Sequence, residues 1–171
     1  SFLQTDGAKD VGIEIYTLSK TYNMAGWRVA FAVGNSSVIS AIELLQDHLY
    51  CSIFGGIQEA AAEALTGPQD CVQELNNLYE RRRNVLIDGL KSLGWNVTAP
   101  KGSFFAWLKV PEGLTSAEFA DILLEQAYIA VAPGVAFGEL GEGFVRVGLL
   151  TSEERLEEAV KRISKLQIFK K

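Results

Sequence analysis

A lysine and an arginine near two hydroxyl groups form the part of this sequence best suited to chemistry. Lys20 follows the hydroxyl residues Thr17 and Ser19, and Arg28 comes shortly afterwards. A lysine that is partly shielded from water loses its proton more readily, because desolvation disfavours the charged form. The neutral amine is then a nucleophile that condenses with carbonyl groups. Lys20 is therefore a candidate for covalent chemistry with an aldehyde or a ketone.

The guanidinium of Arg28 complements this amine. A guanidinium binds two phosphate oxygens at once, and the hydroxyls of Thr17 and Ser19 suit the same kind of ligand. An aldehyde that also carries a phosphate group is pyridoxal 5'-phosphate. The alternative interpretation is that Lys20 and Arg28 are solvated charges at the edge of a sheet, since short motifs have a real false-positive risk.

Two strands are predicted to hold these side chains. Apolar residues alternate over residues 12–19 and again over residues 27–34, which is the period of a β-strand. A turn that contains Asn23 and Gly26 would join them. Arg28 would then stand on the face of the second strand that carries only small residues, which leaves room for an anion.

The segment Ser19-Lys20-Thr21-Tyr22-Asn23-Met24-Ala25-Gly26-Trp27-Arg28 closely resembles the cofactor-lysine segment of class I/II aminotransferases, which are fold-type I pyridoxal-phosphate enzymes. The resemblance implies that Lys20 is the Schiff-base lysine and that Arg28 binds the cofactor phosphate. It implies phosphate-side positions for Thr17 and Ser19 as well. The similarity continues to the C-terminus, so we expect a C-terminal portion that begins shortly before the cofactor lysine and lacks part of the active site.

Arg146 is the second candidate site residue, because it interrupts an otherwise apolar strand. A buried guanidinium is costly without an anionic partner, which could be a ligand or one of the many glutamates. The segment from Phe144 to Val147 resembles the family segment whose arginine binds the α-carboxylate of the substrate. The resemblance implies that role for Arg146. The segment from Gly102 to Phe105 likewise resembles the lining of the substrate entrance, with ordinary strand packing as the alternative.

Composition limits the possible partners. The chain has 171 residues, of which 48% are apolar, and its net charge of -5 argues against a nucleic-acid or anionic membrane surface. Its two cysteines and single histidine form no spaced metal motif. Two cysteines in a chain of this size favour reduced thiols and a cytoplasmic location. We expect small-molecule partners, an amino acid and a 2-oxo acid, and by resemblance a homodimer.

Strands alternate with helical patterns along the chain, which predicts an α/β protein. The resemblance implies the end of a large domain with a mixed, mostly parallel sheet over residues 1–67. A smaller α+β C-terminal domain over residues 68–171 would follow, joined by a long helix through residues 72–93. Helix starts are predicted at Asn35 and at two capping boxes, Thr115 with Glu118 and Thr151 with Glu154. Further strands are predicted at 96–98, 103–109, 128–132 and 144–149.

The expected reaction is the pyridoxal-phosphate-dependent transfer of an amino group between an amino acid and a 2-oxo acid. Carbon–sulfur β-lyases of the same fold are similar in sequence, so β-elimination is an alternative. A non-catalytic module of this fold is a second alternative, although Lys20 speaks against it. The motifs do not distinguish which amino acid the enzyme would use.

Overall fold

A computed structural model describes residues 1–169 and divides them into two compact units, Ser1–Glu74 and a second unit that begins at Leu75. The described α-helices, numbered α1 to α6, are Ala8–Val11, Ser36–Leu49, Gly55–Thr66, Asp70–Ser92, Ser116–Ala127 and Glu153–Ile163. The described β-strands, β1 to β5, are Ile13–Thr17, Ala30–Gly34, Phe105–Lys109, Ala132–Pro133 and Phe144–Gly148. Short 3-10 helices occupy Phe2–Gln4, Ala25–Trp27, Gly134–Phe137, Glu139–Gly141 and Gln167–Phe169. The predicted α/β class is confirmed.

In the first unit, β1 and β2 form an antiparallel ribbon that pairs Ile13 with Gly34 and Thr17 with Ala30. The two predicted strands are therefore present but shorter than expected. The prediction that the second strand begins at residue 27 is wrong, because Ala25–Trp27 is a 3-10 turn and Arg28 has a left-handed backbone conformation. Arg28 therefore lies in the loop before β2 and not on the face of a strand.

In the second unit, the sheet has the strand order β3-β5-β4, and all its pairs are antiparallel. The sheet packs with α4, α5 and α6 around a core of fully buried apolar side chains. This core includes Leu86, Leu90, Leu108, Phe119, Leu123, Val145, Leu149 and Ile163. Each such side chain contributes roughly 1.5–3 kcal/mol relative to an exposed one. The core therefore fixes β5, the strand that carries Arg146.

Because β1 and β2 are also antiparallel, none of the strand pairs within residues 1–169 is parallel. Residues 1–169 therefore contain no parallel pair of the mostly parallel sheet that the resemblance implies. The long helix is confirmed as α4, which extends from Asp70 to Ser92 and continues across the division between the units. The predicted boundary after residue 67 falls between the end of α3 and the start of α4 and stays a prediction.

Two of the three predicted helix starts are confirmed by their capping contacts. The side chain of Asn35 accepts the backbone N–H of Val38, and Thr115 with Glu118 forms the complete capping box of α5. The third prediction is wrong, because α6 begins at Glu153 and its N-cap is Ser152 instead of Thr151.

The strands predicted at 103–109 and 144–149 are present in shortened form as β3 and β5, whereas those predicted at 96–98 and 128–132 differ more from the described structure. Residues 96–98 form no strand, although Val97 is buried in the core. The strand predicted at 128–132 is reduced to β4, because the start of this segment ends helix α5 instead. Tyr128 has a left-handed conformation, and the N–H groups of Tyr128 and Ile129 donate to the carbonyls of Leu124 and Leu123. This arrangement satisfies helix-end carbonyls.

Candidate active site

The hydroxyl groups of Thr17 and Ser19 lie together at the end of β1. The two oxygen atoms are 2.8 Å apart, and Thr17 Oγ1 also accepts the backbone N–H of Ser19 at 3.2 Å. The Thr17 hydroxyl lies 3.3 Å from the carbonyl oxygen of Val29. This last contact links the two ends of the loop of residues 18–29, which we call the lysine loop. The two hydroxyl groups that the sequence analysis assigns to a phosphate are therefore neighbours in the structure.

The lysine loop is anchored by apolar side chains. Leu18, Met24 and Val29 are buried together with Ala61 of helix α3. At the same end of the unit, the hydroxyl of Tyr22 donates to the side-chain oxygen of Gln69 at 2.9 Å. Because these anchors lie at the start, middle and end of the loop, they hold its backbone in place.

Lys20 lies within this loop, in the turn that follows β1. The turn is closed by the backbone N–H of Tyr22, which donates to the carbonyl of Leu18 at 3.2 Å. The side chain of Lys20 is exposed in the described chain. The partial shielding from water that the sequence analysis assumed for this amine is therefore not provided by residues 1–169.

Arg28 occupies the far end of the lysine loop with a φ of 54°, in the left-handed region. This region costs an ordinary side chain about 1–2 kcal/mol, and such outliers cluster at functional sites. One guanidinium nitrogen, Nη1, donates to the carbonyl of Ala25 at 3.0 Å. The guanidinium has five N–H donors, so this contact orients the side chain and leaves donors for an anion.

Arg146 lies in the middle of β5, in the second unit, where it pairs with Trp107 of β3 and Ala132 of β4. Its guanidinium carbon is 4.3 Å from the ring centroid of Phe105 and 4.1 Å from that of Phe137. Throughout residues 1–169, no carboxylate lies within ion-pair distance of this guanidinium. The alternative of an internal salt bridge to a glutamate is therefore not realised.

The loop that carries Phe137 is fastened by a carboxylate. Glu142 accepts the backbone N–H of Ser116 at 2.7 Å and the hydroxyl of Ser116 at 2.8 Å. The Ser116 hydroxyl, whose residue is completely buried, also accepts the N–H of Val135 at 3.3 Å. The N–H and hydroxyl of Ser116 and the N–H of Gly143 hold the pKa of Glu142 below its ordinary value. The two ends of this loop are thus tied to the start of α5.

Acidification is expected to loosen this fastening. Because the pKa of Glu142 is lower in the folded protein, its ionised form stabilises the fold above the ordinary pKa of 4.5, and this contribution is lost as the pH falls through the lowered pKa. In urea unfolding, the stability difference between wild type and Glu142→Gln should shrink on going from pH 7 to acid. Glu139→Gln, in the same loop, is the matched control and should show no such trend. Equal pH trends for both variants would contradict the fastening role.

Two glycines let the same loop cross itself closely. A Cβ atom at Gly134 would overlap the carbonyl oxygen of Gly141, and one at Gly141 would overlap that of Gly134. Backbone atoms cannot move aside as a flexible side chain does. The close approach thus fixes the loop and, with it, the ring of Phe137.

Adding one methyl group at this crossing should be costly. We expect Gly134→Ala to lower the free energy of unfolding by about 3 kcal/mol, since the crossing must open to admit it. Gly102→Ala is the control, because a Cβ atom there meets nothing within 4 Å, and its effect should stay within about 0.5 kcal/mol. Similar unfolding midpoints for the two variants in urea would show that the crossing does not stabilise the fold.

Four of the five predicted site residues therefore lie in the first unit, at the end of β1 and in the lysine loop: Thr17, Ser19, Lys20 and Arg28. Arg146 belongs to the second unit. Sequence reasoning missed Phe137, to which the sequence analysis assigned no role. The glycines on either side, at 134 and 138, were a signal of tight loop geometry but gave no sign of a contact with Arg146. The functional roles of the five predicted residues stay predictions.

Two further features are absent from the described part of the chain. None of its helices combines the length and apolarity required to cross a membrane. Within the same residues, no group of three or more His, Cys, Asp or Glu side chains is placed to hold a metal ion.

Comparison with known proteins identifies relatives over nearly the whole chain. Residues 3–163 match the family described as aminotransferase class I and II. The L-glutamine--4-(methylsulfanyl)-2-oxobutanoate aminotransferase of Bacillus subtilis is 69% identical over 99% of this chain and 42% of its own length. The LL-diaminopimelate aminotransferase of Halothermothrix orenii is 46% identical over 98% of this chain and 43% of its own. The chain thus spans about two fifths of the length of these curated relatives.

Solved structures agree with the sequence comparison. The structure of apo-BacF from Bacillus subtilis matches 96% of this chain and 44% of its own, with a TM-score of 0.90 and 44% identity. The aromatic aminotransferase of Pyrococcus horikoshii matches 96% of this chain and 45% of its own, with a TM-score of 0.88 and 36% identity.

Proposed function

Because the chain belongs to the class I and II aminotransferase family, we propose that it takes part in the pyridoxal-phosphate-dependent transfer of an amino group between an amino acid and a 2-oxo acid. The observation that carries this proposal is the lysine loop. Its buried anchors fix the Thr17 and Ser19 hydroxyls at one end and a left-handed Arg28 at the other, with the amine of Lys20 in the same loop.

The chain is proposed to act as part of a longer polypeptide, called here the full-length polypeptide, since its relatives extend well beyond the matched segment. That polypeptide would supply the shielding of Lys20 from water that residues 1–169 do not provide. A homodimer and a cytoplasmic location are proposed on the resemblance and composition described above.

The donor set of the lysine loop fits pyridoxal phosphate. Two hydroxyls and a guanidinium with unused donors are groups that bind a phosphate, and a primary amine is the group that binds an aldehyde. Thr17, Ser19 and Arg28 would hold the phosphate, and Lys20 would hold the aldehyde end. When bound, the cofactor supplies an electron sink for the carbon that loses its proton.

The remaining steps are proposed for the side chains of the chain itself. Arg28 would neutralise the phosphate and anchor that end of the cofactor. The amine of Lys20 would act as a general base that takes the α-proton of the amino acid. The guanidinium of Arg146 would bind the α-carboxylate with paired hydrogen bonds, which fixes the α-carbon for that proton transfer.

The substrates are proposed from the relative at 69% identity, whose name gives L-glutamine as amino donor and 4-(methylsulfanyl)-2-oxobutanoate as acceptor. The test is to incubate the full-length polypeptide, loaded with pyridoxal phosphate, with these two compounds and to measure L-methionine. Formation of methionine is expected. Release of ammonia and pyruvate from cystathionine without methionine formation would instead identify a β-lyase, and no reaction with either would favour a non-catalytic module.

Arg28 allows stability and cofactor binding to be separated. In Arg28→Gly, relief of the left-handed strain opposes the entropy cost of glycine, so stability should change by less than about 1 kcal/mol. The dissociation constant for pyridoxal phosphate should nevertheless rise about 10- to 100-fold, because charge-assisted hydrogen bonds are lost. Absorbance titration measures this constant. Asn23→Gly, at the other left-handed position in the loop, should leave it unchanged, and equal effects at both positions would argue against phosphate binding by Arg28.

A further inference from the structure

We propose that Phe105 and Phe137 are positioning residues that hold the Arg146 guanidinium ready for a carboxylate. The proposal deepens the proposed function and rests on it, because Arg146 is assigned the substrate carboxylate there. It adds two side chains whose contact with Arg146 only the three-dimensional structure shows.

The contact geometry is that of a cation over aromatic rings. The guanidinium carbon of Arg146 lies 4.3 Å and 4.1 Å from the two ring centroids, within the 6 Å over which such attraction acts. The two rings come from different elements, since Phe105 starts β3 and Phe137 ends a 3-10 helix. The guanidinium is therefore held from two directions, which removes rotamers that would point it elsewhere.

This way of holding an arginine leaves its hydrogen-bonding capacity unused. The rings attract the positive charge through their π faces, so they occupy none of the five N–H donors. Within residues 1–169, the Arg146 guanidinium donates to no side-chain or backbone acceptor, and no carboxylate pairs with it. A salt bridge would orient the guanidinium equally well but would compete with the substrate. Ring contacts orient it without that competition.

The ring of Phe137 is itself fixed. Its loop is tied to buried Ser116 by Glu142 and crosses itself at Gly134 and Gly141. Trp107, which pairs with Arg146 across the strands, packs against Phe137 in a T-shaped arrangement with 5.3 Å between the ring centroids. A ring on such a fixed loop can restrain the arginine, whereas a ring on a loose loop would move with it.

The test measures carboxylate binding directly in the full-length polypeptide loaded with pyridoxal phosphate. The probe is 4-(methylsulfanyl)butanoate, a carboxylate without a reactive oxo group, and its amide serves as the uncharged comparison. For Phe137→Leu and Phe105→Leu, calorimetric titration should show the dissociation constant of the carboxylate rising about 10-fold, as expected for losing one cation–ring contact. The dissociation constant of the amide should not change. Phe137→Tyr keeps the ring and should bind like wild type.

Phe144→Leu is the matched control, since Phe144 is also exposed and contacts Trp107 but makes no described contact with Arg146. It should leave both dissociation constants unchanged. Weakening of carboxylate and amide together, an equal effect of Phe144→Leu, or failure of Phe137→Tyr to bind would overturn the positioning role. Failure of the proposed function gives a different result, because the wild-type polypeptide would then form no methionine and would carry no pyridoxal phosphate on Lys20.

Discussion

Replacing Lys20 with alanine is expected to lower the amino-transfer turnover of the full-length polypeptide by roughly 10⁴-fold or more, because both cofactor attachment and the general base are removed. The fold should survive, since Lys20 is exposed and the buried anchors of its loop, Leu18 and Met24, are untouched. Turnover is measured as L-methionine formed from 4-(methylsulfanyl)-2-oxobutanoate with L-glutamine as donor.

Lys9→Ala is the matched control for this result. Lys9 is also exposed and lies in the same unit, but outside the lysine loop, so its replacement should leave turnover unchanged. Thermal unfolding of both variants would establish that loss of turnover is not loss of structure. If Lys20→Ala kept turnover within a few fold of wild type, the proposed role of this amine would be excluded.

Replacing Arg146 with leucine is the second large effect. We expect kcat/KM for L-glutamine to fall about 10²- to 10³-fold, since a paired, charge-assisted interaction with the carboxylate is lost. Arg146→Lys should recover only part of this loss, because an ammonium keeps the charge but cannot offer the planar pair of donors. Steady-state kinetics with varied L-glutamine measures both effects.

Arg81→Gln is the control for charge removal in the same unit. Arg81 is exposed and pairs with Glu153 at 3.1 Å, and exposed pairs of this kind contribute little. The kcat/KM of the Arg81→Gln variant for L-glutamine should match that of wild type. If Arg146→Leu reduced the rate with 4-aminobutanamide, which lacks the carboxylate, as much as the rate with L-glutamine, the carboxylate assignment would be wrong.

Periodic elements and local caps could be predicted from the sequence alone. The apolar stripe of α4 and the apolar run of β5 are clear signals. Asn35 and Thr115 each cap a helix that begins at the next residue. Thr151 was predicted as a cap, but the neighbouring Ser152 takes that position. A hydroxyl beside another hydroxyl does not reveal which one begins the helix.

Irregular segments could not be predicted, because their conformation depends on contacts distant in sequence. Arg28 fits the alternation of a strand, yet the 3-10 turn before it and the burial of Val29 on α3 place it in a loop. The exposure of Lys20 depends on which parts of the protein surround it, and the neighbouring residues in the sequence do not determine this.

The surroundings of Arg146 illustrate the same limit at the site. Phe105 could be noticed because it belongs to the segment from Gly102 to Phe105, which resembles the lining of the substrate entrance in the family. Phe137 reaches Arg146 only because Gly134 and Gly141 allow a backbone crossing and Glu142 ties the loop to Ser116. No spacing or periodicity connects these residues, so the ring contact emerges only from the fold.

The central claim is that the amine of Lys20 carries the cofactor, and peptide mapping tests it most directly. The full-length polypeptide is incubated with pyridoxal phosphate, reduced with borohydride, digested and analysed by mass spectrometry. We expect one dominant pyridoxyl-phosphate modification, on Lys20, which disappears in Lys20→Ala and persists in Lys9→Ala. A dominant modification on another lysine, or none on Lys20 after saturation with the cofactor, would contradict it.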